Sequence, residues 1–152
     1  MKAFVYLLLF ITFTSSNSLT GKVVRVVDGD TIIVLLNGNK QERIRLLNID
    51  APEKGQDYSA KSTQFLSDLI AGKTVRVEYK SRDQYKRILG TVFIDDINVN
   101  EEIVKNGLAW NYYYSKDKRL ISLQEEAQKN KLNIFSMKNP INPYHWRKGI
   151  RK

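Results

Sequence analysis

The stretch GKVVRVVDGDTIIVLLNGNKQERIRLLNID, residues 21–50, decides the fold. Gly21–Val27 and Thr31–Leu36 are β-branched and apolar runs separated by Asp28-Gly29-Asp30. Branching at Cβ stiffens a side chain against a helix and suits it to a pleated surface, so both runs predict strands. Asn37-Gly38-Asn39 is a hairpin signal, because asparagine and glycine tolerate positive φ. Arg43–Ile49 then alternates basic and apolar residues as a third strand does. Three strands joined by tight turns make a meander.

Beyond Ala51-Pro52 the period changes. Tyr58, Ser62, Phe65, Leu66, Leu69 and Ile70 fall on one helical face, and Gly72 ends that helix. Thr74–Tyr79 predicts a fourth strand, with Val75, Val77 and Tyr79 on one side, and Ile88–Ile94 a fifth. The charged connection Lys80–Arg87 joins them. Asn100 is placed to cap a short helix through Asn106, with Gly107 as its left-handed stop. A third helical pattern runs from Leu120 to Lys131, turning Leu120, Leu123 and Ala127 inward. Five short strands with helices inserted and appended predict an α+β chain, a five-stranded OB-like β-barrel with three α-helices. Periodicity gives the element types but does not by itself close the barrel.

The ends read differently. Lys2 precedes an apolar run from Ala3 to Phe13, followed by Thr14, Ser15, Ser16, Asn17 and Ser18. A positive start, a short apolar run and small residues make residues 1–18 a secretory signal peptide, cleaved after Ser16 or Ser18. The run is too short to span a bilayer, which takes about 20 residues. A retained anchor is the alternative. Residues 19–137 then form the domain and 138–152 a tail with two prolines, five basic residues and no acid. Tyr144-His145-Trp146-Arg147-Lys148 in that tail reads equally as a nucleic-acid-binding surface or as cover for the barrel.

The 152 residues carry 25 Lys+Arg against 16 Asp+Glu, a net charge of +9. Losing residues 1–18 removes Lys2 alone and leaves +8. Such a surface suits a polyanion, either nucleic acid or an anionic membrane. There is no cysteine, hence no disulfide and no thiolate metal site. His145 is the only histidine, which excludes two-histidine acid–base cleavage. No G-x-S-x-G elbow and no Walker-type phosphate loop is present. Oxygen chemistry remains: carboxylates, a hard cation, and positive charge on a phosphate.

Asp28-Gly29-Asp30-Thr31 and Asp50-Ala51-Pro52-Glu53 each end an apolar strand, where carboxylates can converge at a barrel mouth. Taken alone, the first also reads as a tight turn and the second as a strand exit at Pro52. Arg45 shares a strand with Asp50, and Arg87 opens the fifth strand. Guanidinium meets phosphate bidentately and suits the extra charge of a transition state, although a surface arginine is commonly just solvated.

Val27-Asp28-Gly29-Asp30-Thr31, the string from Arg45 to Glu53, and Asp83-Gln84-Tyr85-Lys86-Arg87 together resemble the thermonuclease, or staphylococcal nuclease-like, family. Asn106-Gly107-Leu108-Ala109 and Lys131-Leu132-Asn133-Ile134-Phe135 continue the resemblance in the same order. The resemblance implies an OB barrel with three helices and a nonspecific, monomeric nuclease acting on DNA and RNA. It implies one Ca²⁺, with Mg²⁺ or Mn²⁺ as substitutes, on Asp30, Asp50 and the carbonyl of Ala51. Glu53 would be the general base, Arg45 and Arg87 would grip the phosphate, and Tyr85 and Tyr113 would flank the nucleotide. Ala51 stands where threonine is common, Lys86 where a glycine is usual, and Gln84 where a basic residue often contacts phosphate.

Two other functions compete. A catalytically silent nucleic-acid-binding domain of the same fold predicts losses among these carboxylates and arginines, and none is lost. A membrane-surface module predicts a basic amphipathic helix, whereas residues 58–70 carry only Lys61 and Asp68 as charges.

Overall fold

The alternation of the meander is satisfied by a sheet that rolls onto itself. In the computed structural model, which describes residues 16–151, β1 (Asn17–Asp28), β2 (Thr31–Leu35) and β3 (Gln41–Leu46) run antiparallel in chain order. Residues 1–15 of the expected signal peptide lie outside the described residues. β1 is long enough to serve two neighbours. Its first half pairs with β5 (Thr74–Arg82), and its second half with β2 across two register shifts. Such bulges bend a strand and increase its twist. β6 (Ile88–Ile94) runs antiparallel to β5 and parallel to β3, matching Ile44 with Ile88 and Leu46 with Gly90. That last pairing closes the five strands into a barrel. β7 (Ile97–Asn98) extends β6 at the outside.

Alternate side chains point inward, so Val23, Ile32, Val34, Ile44, Val75, Val77, Ile88 and Val92 fill the barrel, almost wholly removed from solvent. Gly90 is a packing requirement. A Cβ there would overlap a methyl group of Val77 on the adjacent strand. α1 (Ser59–Ile70) lays Ser62, Leu66 and Ile70 over the core. α2 (Val99–Lys105) packs on α3 (Lys118–Lys129), contributing Ile103, Val104, Leu120 and Leu123. Asp117 caps α3, whose first residue, Lys118, lies two residues before the expected start at Leu120. A smaller cluster of Trp110, Ala127, Ile134 and Phe135 seals the far side, with the Trp110 and Phe135 rings edge to face at 4.8 Å. No helix among the described residues is long and apolar enough to cross a membrane.

Three expectations are corrected. The third strand stops at Leu46; β4 (Ile49–Asp50) is a separate strand that pairs with β8 (Trp110–Asn111). The physical reason is Arg45, whose side chain takes the carbonyls of Leu46 and Ile49 and so ends the ladder locally. The cap of α2 is Asn98, whose side chain accepts from Glu101 N. Asn100 is buried instead, accepting from Val92 N at 3.0 Å and donating to Leu47 O and Gly90 O at 3.0 and 3.1 Å. It stitches α2 to the seam where β3 and β6 close the barrel. The tail, finally, adds a fourth helix, α4 (Pro143–Arg147).

Removing the Asn100 amide takes the side-chain partner from Val92 N and Leu47 O, while Gly90 O keeps Leu47 N at 2.8 Å, and each unsatisfied group costs about 1–3 kcal/mol. Asn100→Ala should therefore lower stability by about 2 kcal/mol or more, read as a lower urea midpoint. An unchanged midpoint would show that the seam does not depend on it.

Candidate active site

Asp28-Gly29-Asp30 is the tight turn between β1 and β2, and it is also one wall of a site. Gly29 allows both, because a Cβ there would overlap Ser62 Oγ on α1 and the Cβ of Ala51. The close approach turns the Asp30 carboxylate toward the strand exit. Its Oδ2 accepts from Ala51 N at 2.8 Å, and Oδ1 from Thr31 Oγ1 at 3.1 Å. Asp50, at the end of β4, is buried beside it, its side chain 2% exposed.

Arg45 joins the two acids. Its Nη2 lies 3.2 Å from both Asp30 Oδ2 and Asp50 Oδ1, while Nη1 donates to Leu46 O and Ile49 O at 2.7 and 2.8 Å. Arg45 is shared between the two carboxylates. Burial, with some help from Asp28, pushes the Asp30 carboxyl up to about 7 against the opposing pull of Arg45.

Pro52 ends β4, and Glu53 follows in a turn held by its own neighbour. Glu53 N donates to Gln56 Oε1 at 3.0 Å and Gln56 N to Glu53 O at 2.9 Å. Arg87 stands across the cleft, at the end of the β5–β6 loop. Asp83 organises that loop, accepting from Arg87 Nε at 2.7 Å, Arg87 N at 3.0 Å and Tyr85 N at 2.9 Å. Burial works against ionisation of Asp83, but the bonds from Arg87 outweigh it and hold the carboxyl below its usual value. Lys86 adopts φ 62°, the left-handed region, which accounts for glycine suiting this position. The turn nevertheless closes, with Lys86 N donating to Asp83 O at 3.0 Å.

A single cleft of about 1200 Å³ is lined by Asp30, Arg45, Asp50, Ala51, Glu53, Tyr85 and Arg87. Tyr85 is exposed and stands 5.4 Å from the Arg87 guanidinium, ring centroid to carbon. Of the adjacent tyrosines, Tyr112 lines the cleft. Tyr113 lies outside its lining, stacked on Tyr144 with ring centroids 4.2 Å apart.

Among the described residues no group of three or more histidine, cysteine, aspartate or glutamate side chains is placed to hold a metal. The donor set is two carboxylates, Asp30 and Asp50, beside the backbone of Ala51. It fits a hard cation that takes oxygen ligands and completes its shell with carbonyls, water or phosphate. The electrostatics agree, since Asp30 is a buried acid short of positive charge.

One cleft residue escaped the sequence reading. Arg147, on α4, donates to Asp50 Oδ1 and Oδ2 at 3.0 and 2.8 Å and to Glu53 Oε1 at 2.7 Å. Asn142-Pro143 was the available signal, an N-cap followed by proline at the first helical position. It foretells a helix in the tail, although not where that helix docks.

The family described as Staphylococcal nuclease homologue matches residues 43–137. An uncharacterized endonuclease of Escherichia coli is 51% identical over 129 residues, covering 84% of each chain. A micrococcal nuclease of Shigella flexneri is 38% identical over 143 residues, covering 86% of this chain and 82% of its own. A thermonuclease of Staphylococcus hyicus is 36% identical over 135 residues, covering 81% and 79% respectively.

The raised carboxyl of Asp30 makes a pH prediction. The folded protein holds this proton more tightly than the unfolded chain does. The resulting stability is fully present below pH 3.8 and is lost as pH rises through about 7. With chelator present, Asp30→Asn should flatten the fall in unfolding midpoint across that window. Parallel profiles for the two proteins would remove Asp30 as its source.

Proposed function

The chain belongs to the staphylococcal nuclease family and is a nuclease, and from that premise we propose that it is a secreted, cation-dependent phosphodiesterase hydrolysing DNA and RNA as a monomer. The observation that carries the mechanism is the convergence of Asp30, Arg45, Asp50, Glu53 and Arg87 on one cleft. Lys2 and the apolar run to Phe13 support secretion. The basic balance of +9 supports a polyanionic substrate.

Asp30, Asp50 and the carbonyl of Ala51 would hold the cation, Ca²⁺ in the first instance with Mg²⁺ or Mn²⁺ as substitutes. Once bound, it supplies Lewis acidity and offsets phosphate charge. Glu53, half-exposed at the cleft edge, accepts the proton of the attacking water. Arg45 keeps the carboxylates in register and presents positive charge from below. Arg87, held through Nε by Asp83, keeps its terminal nitrogens for the phosphate. Both guanidiniums favour the phosphorane-like transition state over the ground state, because its equatorial oxygens carry more charge. Tyr85, exposed beside Arg87, offers a face for stacking a base, and Tyr113 a second surface near the tail.

Digestion of plasmid DNA and of an RNA with Ca²⁺, with Mg²⁺ and with chelator tests this reading. Cleavage that needs Ca²⁺ and stops with chelator is expected. Glu53→Gln and Arg87→Ala should each lower kcat by about 10²–10³ with the fold intact. Salt-sensitive binding without cleavage under any metal would leave only a nucleic-acid-binding domain. Full activity of Arg87→Ala would overturn the assigned roles.

A further inference from the structure

The tail is docked, and the docking is specific. Gln56, whose side-chain oxygen positions Glu53 N, donates its amide to Ile141 O at 2.5 Å. Asn142 caps α4 by accepting from Tyr144 N at 2.9 Å. Tyr144 stacks on Tyr113 with an interplanar angle of 7° and shares a 2.6 Å hydrogen bond with Tyr114. Between these anchors α4 delivers the Arg147 guanidinium to the cleft. There it takes both oxygens of Asp50 and one of Glu53.

Those oxygens are the ones the hydrolytic chemistry needs. Asp50 is almost fully buried, so it cannot turn a free oxygen toward solvent while both are engaged. Arg147 holds Glu53 through Oε1 alone, which draws that carboxylate toward the tail. The hydrogen bonds that Arg147 donates to Asp50 and Glu53 also hold its guanidinium more firmly protonated than usual. Charge accounts for the arrangement. Within the barrel Asp30 and Asp50 share Arg45, and the tail supplies a second positive group to Asp50 and Glu53.

We infer that Arg147 is a positioning residue of the active site that competes with the divalent cation for Asp50, so that cation binding and release of the tail arginine from the carboxylates are linked. In the cation-free protein the tail keeps Asp50 and Glu53 in place and neutralised. When the cation arrives, Arg147 gives up Asp50, and Glu53 is freed to act. A divalent charge replaces a monovalent one, which drives the exchange. The inference rests on the cation-dependent reading above.

The test is calorimetric titration of Ca²⁺, without nucleic acid, into the protein and into Arg147→Ala, Arg147→Lys and Tyr144→Ala. Arg147→Ala should bind Ca²⁺ about tenfold or more tightly, because the competing ion pair is gone. Arg147→Lys should fall between, since ammonium cannot make the forked contact. Tyr144→Ala loosens the tail without touching a carboxylate and should tighten Ca²⁺ in the same direction. Trp146, next to Arg147, should change its emission as Ca²⁺ binds, and the Trp146→Phe protein should lose that change. Equal or weaker Ca²⁺ affinity in Arg147→Ala, with cation-dependent cleavage intact, would overturn this inference alone. No Ca²⁺ binding by any of the proteins would overturn the cation reading and this inference together.

Discussion

The Arg45 guanidinium is the interaction on which the rest of the structure depends. It spans two backbone carbonyls and two buried carboxylates from one position near the end of β3. By taking Leu46 O and Ile49 O it turns the chain out of the barrel ladder, which frees Ile49–Asp50 to pair with Trp110–Asn111. By facing Asp30 and Asp50 it makes their burial tolerable. Removing it would leave buried negative charge without a partner, a far larger loss than a surface ion pair represents. The same atom set therefore ends a strand, closes a small second sheet and assembles the acidic wall of the site. Fold and function are not separable at this residue.

The strands were legible because the barrel interior imposes a period of two on every one of them, and β-branched residues meet that demand openly. Val75 and Val77 announce their strand without help from tertiary structure. What escaped was set by contacts distant in sequence. The break between Leu46 and Ile49 is marked only by Asn48, a turn-type residue at φ 61° that a single strand run absorbs on paper. Asn100 looks like a cap by position, yet Asn98 two residues earlier has the same chemistry. Only burial distinguishes them. Val92 N and Leu47 O need partners at the seam, and Asn100 supplies both acceptor and donor while adding a second bond to Gly90 O.

The site follows the same division. Asp30, Arg45, Asp50, Ala51, Glu53 and Arg87 were nameable because their motifs lie on rigid elements or immediately beside them. Tyr113 and Arg147 belong to segments whose placement depends on docking. Three tyrosines in a row carry no instruction about which faces the cleft, and the structure turns Tyr112 into it while Tyr113 meets Tyr144. The tail reading had weighed nucleic-acid contact against barrel cover. Neither includes a guanidinium returning across the chain to a buried carboxylate, because charge pattern alone does not reveal a partner 97 residues away.

Where each charge is mounted decides what it can do. Arg45 sits on a barrel strand with four acceptors, so it is suited to holding geometry and poorly suited to following a moving phosphate. Arg87 is fixed only through Asp83 on a loop, with Lys86 held in a conformation that costs a side-chain-bearing residue about 1 kcal/mol or more. That cost is tolerated because the turn aims Nε at Asp83 and leaves the rest of the guanidinium facing the cleft. Arg147 is mounted on a five-residue helix attached by a glutamine and a tyrosine stack. How each is mounted suits the proposed division of labour, in which Arg45 organises the acids, Arg87 meets the substrate and Arg147 is exchanged. On the proposed exchange, the charge that leaves as a cation binds comes from the tail, because Arg45 is already committed to four acceptors.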